Sequence, residues 1–303
     1  MPYGVQTARC GSLGLRQELC ARNIWWAAKH GFLYEHTVGT LPSVLYRADE
    51  NGRHGNFYPA SYRRILIDPG WRRRLAKTHT TARRHLLSHD ATRCELDSCN
   101  SSDALLMNIF CHPGASSPNS TLRSFLSIGP DVRFVFGHRP RVPMTKGTVD
   151  RTEVDLCAGD LLVEAKLTEG DFQTARWELP RRYRDFDIVF DRDLLPGDAS
   201  KLHGYQLVRG ILAAFADETS RYCLLCDQRR SDLIDLWFKV QSAIRRCDQR
   251  WRCILVTWQE LSETLPMPLR VWLQQKYGIA SSTFEPASDS IGRSIELEYS
   301  IRY

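Results

Sequence analysis

Asp155, Glu164 and Lys166 are the residues whose types and spacing suit hydrolytic chemistry. Two carboxylates that converge on one point repel, and a hard divalent cation bound through oxygen ligands removes that repulsion. Asp155, Glu164 and the backbone carbonyl of Ala165 offer such oxygens. A Mg²⁺ ion there, or Mn²⁺ in its place, would polarise a phosphoryl oxygen and activate a water. Lys166 is placed to hold that water or to offset transition-state charge.

Such groups need a platform, and residues 152–166 read as two strands joined by a tight turn. Residues 152–156 alternate polar and apolar side chains, residues 161–167 are aliphatic and β-branched apart from two charges, and Ala158, Gly159 and Asp160 supply the turn. Side chains two apart on a strand share a face, so Glu164 projects with Lys166 and Glu153 with Asp155. An exposed face of an ordinary strand gives the same acidic-X-Lys triplet. The preceding strand, the short turn and a following glutamine-bearing helix favour a site over that plainer reading.

In these residues the chain resembles the PD-(D/E)XK nuclease superfamily, in a bacterial restriction-endonuclease-like branch. Asp155 lies on one strand and Glu164, Ala165 and Lys166 on the next, with Val154 where the superfamily often has proline. Residues 101–108, 204–209 and 256–258 follow in the order that branch shows, so the resemblance spans roughly residues 95–278. It implies an α/β fold: a restriction-endonuclease-like mixed β-sheet core flanked by helices, with an N-terminal accessory region. It also implies a Mg²⁺-dependent endonuclease with Asp155, Glu164, Lys166 and Gln206 as catalytic residues, the Gln206 amide accepting from lysine and donating to a carboxylate or water. Arg209, in the same helix, would reach phosphate. Asn108 and Glu153 are candidates for supporting the site, although an ordinary core hydrogen bond explains Asn108 equally well. DNA is the preferred substrate; an RNA endonuclease with the same site and a catalytically inactive nucleic-acid-binding module are the alternatives.

A formal charge of +6 suits a polyanionic partner. The charge is concentrated in residues 61–84, where eight Lys or Arg face one acid, Asp68. Arg72, Arg73, Arg74, Arg83 and Arg84 are candidate nucleic-acid contacts there, with a solvated helix face as the alternative. His85, His89, Cys94 and Cys99 carry zinc-type ligands, but they crowd together more tightly than a zinc finger does, so surface histidines and core thiols are the default. The ten cysteines are scattered through apolar stretches, which predicts reduced thiols, and Cys223 and Cys226 lie within an apolar run that suits packing.

The start of the chain shows no basic segment followed by an apolar core, and the longest apolar run, Ile211 to Ala216, is too short to cross a bilayer. The expectation is a cytoplasmic protein with no membrane partner, with a homodimer as an option. Periodicity predicts helices at 15–30, 101–110, 205–215 and 232–246, a final helix within 261–277 around Val271, Trp272 and Leu273, and strands at 132–136, 222–226, 253–258 and 295–303. Residues 168–200 form a charged insertion, read as a substrate lid or a surface loop. Three regions follow: an accessory region with its basic patch at 1–90, the nuclease-like core at 91–280, and a linker with an edge strand at 281–303.

Overall fold

A computed structural model describes residues 11–37, 39, 41–78 and 94–280. Helix α1 (Ser12–His30) precedes the hairpin β1 (Tyr34–Thr37) and β2 (Ser43–Tyr46), then α2 (Pro59–Ile67), α3 (Pro69–Arg72), α4 (Ser102–Phe110), α5 (Pro113–Ser116) and α6 (Thr121–Phe125). Strands β3 (Phe134–His138), β4 (Val142–Pro143), β5 (Val149–Asp150), β6 (Val154–Ala158) and β7 (Leu161–Ala165) follow. A ribbon of β8 (Thr174–Arg176) and β9 (Lys201–His203) then brackets α7 (Phe186–Val189). Next come α8 (Tyr205–Phe215), β10 (Arg221–Cys226), α9 (Ser231–Ser242) and β11 (Cys253–Thr257), and α10 (Trp258–Glu263) and α11 (Met267–Tyr277) close the described chain. It packs as two compact units, a sheet unit of residues 132–257 and a helical unit of residues 13–131 and 258–280.

The sheet unit is built on five strands in the order β11, β10, β7, β6, β3. β11, β10 and β7 run parallel, and β6 and β3 each run antiparallel to their neighbour. Central β7 is buried at every position, as its aliphatic sequence requires of a strand covered on both faces. Leu207, Val208, Ile211 and Leu212 form an apolar stripe on α8 and share a core with Tyr222 and Leu224 of β10 and Trp237 and Val240 of α9. Gly210 is what lets α8 approach, because a Cβ there would lie 2.3 Å from the Tyr222 ring. Such a mixed sheet with flanking helices is the fold class the sequence predicts.

In the helical unit all nine residues of α4 are buried, fitting a helix that is apolar nearly all round. Ser101 caps it by accepting from Ala104 N–H at 3.1 Å. Tyr46, Trp272 and Tyr277 enclose the fully buried Lys276, whose ammonium lies 4.0 Å from the Tyr46 ring centroid. Among the described residues no helix is long and apolar enough to cross a membrane, and the cysteines are free thiols.

Several elements differ from expectation, the short β4–β5 and β8–β9 pairs among them. The strand expected at 132–136 forms at Phe134–His138, because its pairing begins only opposite Ala158 at the end of β6. The final helix expected within 261–277 is α11, set off at Pro266, whose ring nitrogen cannot donate, from a short α10 that begins at Trp258. β1 and β2 form a hairpin ahead of any expected strand. The expected edge strand at 295–303 lies outside the described residues.

Candidate active site

Asp155 and Glu164 come together through the β6–β7 hairpin. Its turn has two residues between the paired Ala158 and Leu161, with Gly159 at φ 66°, a backbone region glycine enters without strain. Arg221 pins the turn, its Nε donating to Asp160 Oδ2 at 2.7 Å and its backbone N–H to the Asp160 carbonyl at 2.7 Å. The register pairs Leu156 with Val163, so one step further Asp155 opposes Glu164 on the same face of the sheet.

The side chains then interlock. Asp155 Oδ2 accepts from the Ala165 N–H at 2.7 Å, and Lys166 Nζ donates to Glu164 Oε1 at 2.9 Å. Glu164 and Lys166 are only 4% and 7% exposed, because their face also carries Leu162 and looks toward Tyr222 and Leu224 in the α8-covered core. Burial opposes the charge on Lys166, yet the carboxylates of Glu164, Glu169 and Asp155 outweigh it and hold the ammonium above the ordinary lysine range. The Phe172 ring centroid lies 5.8 Å from Lys166 Nζ. Tyr222 is pushed well above the usual tyrosine range, first by burial and then by the Glu164 charge.

Two residues that sequence reasoning missed hold the chain just after Lys166. Glu169 Oε2 accepts from Leu167 N–H at 2.5 Å, and its charge reaches Lys166. Arg230 is fully buried, donating from Nη1 to the carbonyls of Leu167 and Glu169 at 3.2 and 2.7 Å and from Nη2 to that of Gly170 at 3.2 Å. Asp232 orients the guanidinium through contacts of 2.9 and 2.8 Å. Glu169 lay within sight of the motif, three residues past the lysine. Nothing in the linear sequence ties Arg230 to a segment some sixty residues earlier.

The other predicted residues fall in several places. Gln206 stands half-buried in the first turn of α8, and its backbone N–H donates to Phe172, the residue beneath Lys166. Arg209 is 5% exposed and donates to the Glu153 carbonyl at 3.3 Å, so it braces the approach to β6 instead of presenting an open phosphate contact. Glu153 takes part through that carbonyl.

Asn108 lies in the helical unit, where its amide is spent on structure. Its Oδ1 accepts from Tyr58 N–H at 2.7 Å, and its Nδ2 donates to Asn56 and Ala104 carbonyls at 3.0 and 2.8 Å. This is the ordinary core hydrogen bonding that a polar residue on an apolar helix needs. Asp103 pairs with Arg74 at 2.6 Å and Lys77 at 2.8 Å, which removes Arg74 from the set of open basic contacts, whereas Arg72 and Arg73 are exposed. Arg83, Arg84, His85 and His89 lie outside the described residues. Cys99 is buried, its sulfur accepting from Val44 N–H at 3.4 Å.

Among the described residues no group of three or more His, Cys, Asp and Glu side chains forms a metal-holding cluster. The chemistry of the Asp155 and Glu164 donors nevertheless fits a hard divalent ion, since both are carboxylates on one face of one hairpin beside a cation that lets them stay close. A mixed sheet that buries Glu164 and Lys166 on one strand beside the half-buried Asp155 on the next is the framework of a restriction-endonuclease-like protein. The chain matches the family model described as Restriction Endonuclease associating with ARP over residues 24–278, and it belongs to that family. No curated protein and no solved structure matches it.

Proposed function

We propose that the chain is a metal-dependent endonuclease of the PD-(D/E)XK type that hydrolyses phosphodiester bonds in DNA. The observation that carries this reading is the convergence of Asp155, Glu164 and Lys166 on one half-closed face, fixed by the 2.7 Å Asp155–Ala165 bond and the 2.9 Å Lys166–Glu164 pair. Asp155, Glu164 and the Ala165 carbonyl would hold Mg²⁺ or Mn²⁺. Bound there, the ion supplies Lewis-acid polarisation of the phosphoryl oxygen and a water more easily deprotonated than bulk water. Lys166, kept protonated by its neighbours, donates toward the attacking water or a non-bridging oxygen. Gln206, whose backbone N–H donates to the Phe172 carbonyl, would support them from the first turn of α8. The buried Lys166–Glu164 pair equally supports a second reading, an inactive nucleic-acid-binding module in which that pair is purely structural.

The test is a panel of supercoiled DNA, linear DNA, single strands and RNA, incubated with the full chain in Mg²⁺, Mn²⁺ or EDTA. DNA cleavage that needs the divalent ion and disappears in Asp155→Asn and Glu164→Gln is the expected result. Cleavage confined to RNA would move the substrate, and binding without any cleavage would leave the inactive module.

A further inference from the structure

The insertion after Lys166 carries a second cationic feature that the hydrolytic site does not use. A pocket of about 480 Å³ opens on the β8–β9 ribbon, lined by Arg176, Arg181, Arg192 and Lys201, with Glu178 as its one carboxylate. Among the described residues none of these four cations makes an ion pair. The strand register sets Arg176 directly opposite Lys201, an arrangement of like charges that costs stability in a pocket where four cations face the single Glu178 carboxylate. Arg192 is held in place by Trp177, its guanidinium 5.1 Å from the ring centroid. Trp177 is itself fixed by an Nε1 donation to the Asp198 carbonyl at 2.8 Å. The Oδ1 atom of Asp198 is taken up by the ribbon turn, accepting from Ser200 N–H and Oγ–H and from Lys201 N–H at 2.8 to 2.9 Å, while Oδ2 lies 3.9 Å from His203 Nε2.

We infer that this pocket binds a phosphate of the nucleic-acid backbone, separate from the phosphate attacked at Asp155 and Glu164. Converging guanidinium forks and an ammonium match the oxygens of a phosphodiester, and Arg and Lys contacts of this kind fix register without reading sequence. The ribbon also ties the pocket to the site. It leaves from Phe172, beneath Lys166, and returns at His203 into Gly204 and Tyr205, whose N–H groups both donate to the Gln173 carbonyl. From Phe172 to Arg176 the chain spans at most ~14 Å. The inference rests on the nuclease reading for the identity of the polymer, and not for the anion chemistry.

The experiment compares the full chain with an Arg176→Gln/Lys201→Gln variant, binding a labelled DNA oligonucleotide in EDTA across a salt series. Inorganic phosphate serves as a separate competitor. A phosphate anchor predicts affinity about tenfold weaker at low salt, a log–log salt slope shallower by roughly 0.7 to 0.9 per lost contact, and a melting temperature unchanged or raised once the opposed charges are gone. Unchanged affinity and slope would overturn it. Inorganic phosphate that quenches Trp177 fluorescence without displacing the oligonucleotide would overturn it too, leaving a free-anion site. Because the readout is binding without metal, a chain that never cleaves yet loses affinity in this variant would keep the anchor and discard the nuclease.

Discussion

At the scale of single residues, the buried Lys166–Glu164 pair sets what each substitution should do. Asp155→Asn and Glu164→Gln keep side-chain volume but remove ligand charge, so metal affinity by calorimetry and turnover should fall together while the fold survives. Lys166→Met strands the Glu164 carboxylate, which in EDTA should cost on the order of 3 kcal/mol. If the carboxylates hold a metal, Mg²⁺ should restore most of that melting temperature while turnover stays down by about 10²-fold or more. Destabilisation that Mg²⁺ cannot relieve would instead mark a structural ion pair. The pH sign follows from the raised lysine: its stabilising charge is fully present below the unfolded value of roughly 10.4 and is lost only as pH rises through the higher folded value. Lys166 therefore imposes no limb on a pH–rate profile between 6 and 9. Arg230→Ala should release the carbonyls of Leu167, Glu169 and Gly170, costing roughly 3 kcal/mol and lowering kcat more than substrate affinity. A loss of stability at unaltered kcat would confine Arg230 to the scaffold.

Among the elements, α8 and α5 carry separable predictions. Gly210→Ala drives a methyl into the Tyr222 ring from 2.3 Å, and overpacking of this kind costs roughly 1–3 kcal/mol. Tyr222→Leu should relieve it, so a double-mutant cycle on thermal or denaturant stability should show strong coupling; additive effects would mean that α8 does not seat against β10 there. In the helical unit, His112 caps α5 as an acceptor, its Nδ1 taking Gly114 and Ala115 N–H at 3.1 and 3.3 Å, which requires a neutral ring. Burial, reinforced by the Arg64 charge, pushes its pKa down to about 4. The unfolded histidine protonates near 6.5, so stability should be full above that value and decline as pH falls from about 6.5 to about 4, by an amount on the order of 3 kcal/mol. His112→Asn keeps an acceptor at the cap and removes the titration. Its melting temperature should be flatter across that window, and an identical decline in both proteins would assign the acid sensitivity elsewhere.

For the molecule as a whole, the net charge of +6 matters through where its cations are free to act. Arg72 and Arg73 are exposed, while Arg74 is committed to Asp103 at 2.6 Å. Replacing Arg72 and Arg73 with alanine should weaken nucleic-acid binding across all sequences and flatten the salt dependence by roughly one unit per contact. Arg74→Ala should lower the melting temperature instead, since it leaves a buried carboxylate with only Lys77. An unchanged slope in the double variant would reduce the patch to a solvated face.

The β6–β7 hairpin was legible from the sequence because its information is local. Alternation, a glycine turn and the spacing of Asp155, Glu164 and Lys166 lie within fifteen residues, and a two-residue turn converts that spacing into opposed side chains. The helix at Tyr205–Phe215 and the strands β10 and β11 after it were legible for the same reason, each carrying its periodicity in its own residues. Tertiary structure alone decided which polar groups are spent elsewhere. Asn108 and Arg74 look available in sequence and are consumed by Tyr58 and Asp103, while Arg230 looks like one more surface charge and is buried against the chain that follows Lys166. A side chain's partner is set by which distant segments the core brings within about 3 Å, and no local pattern encodes that distance.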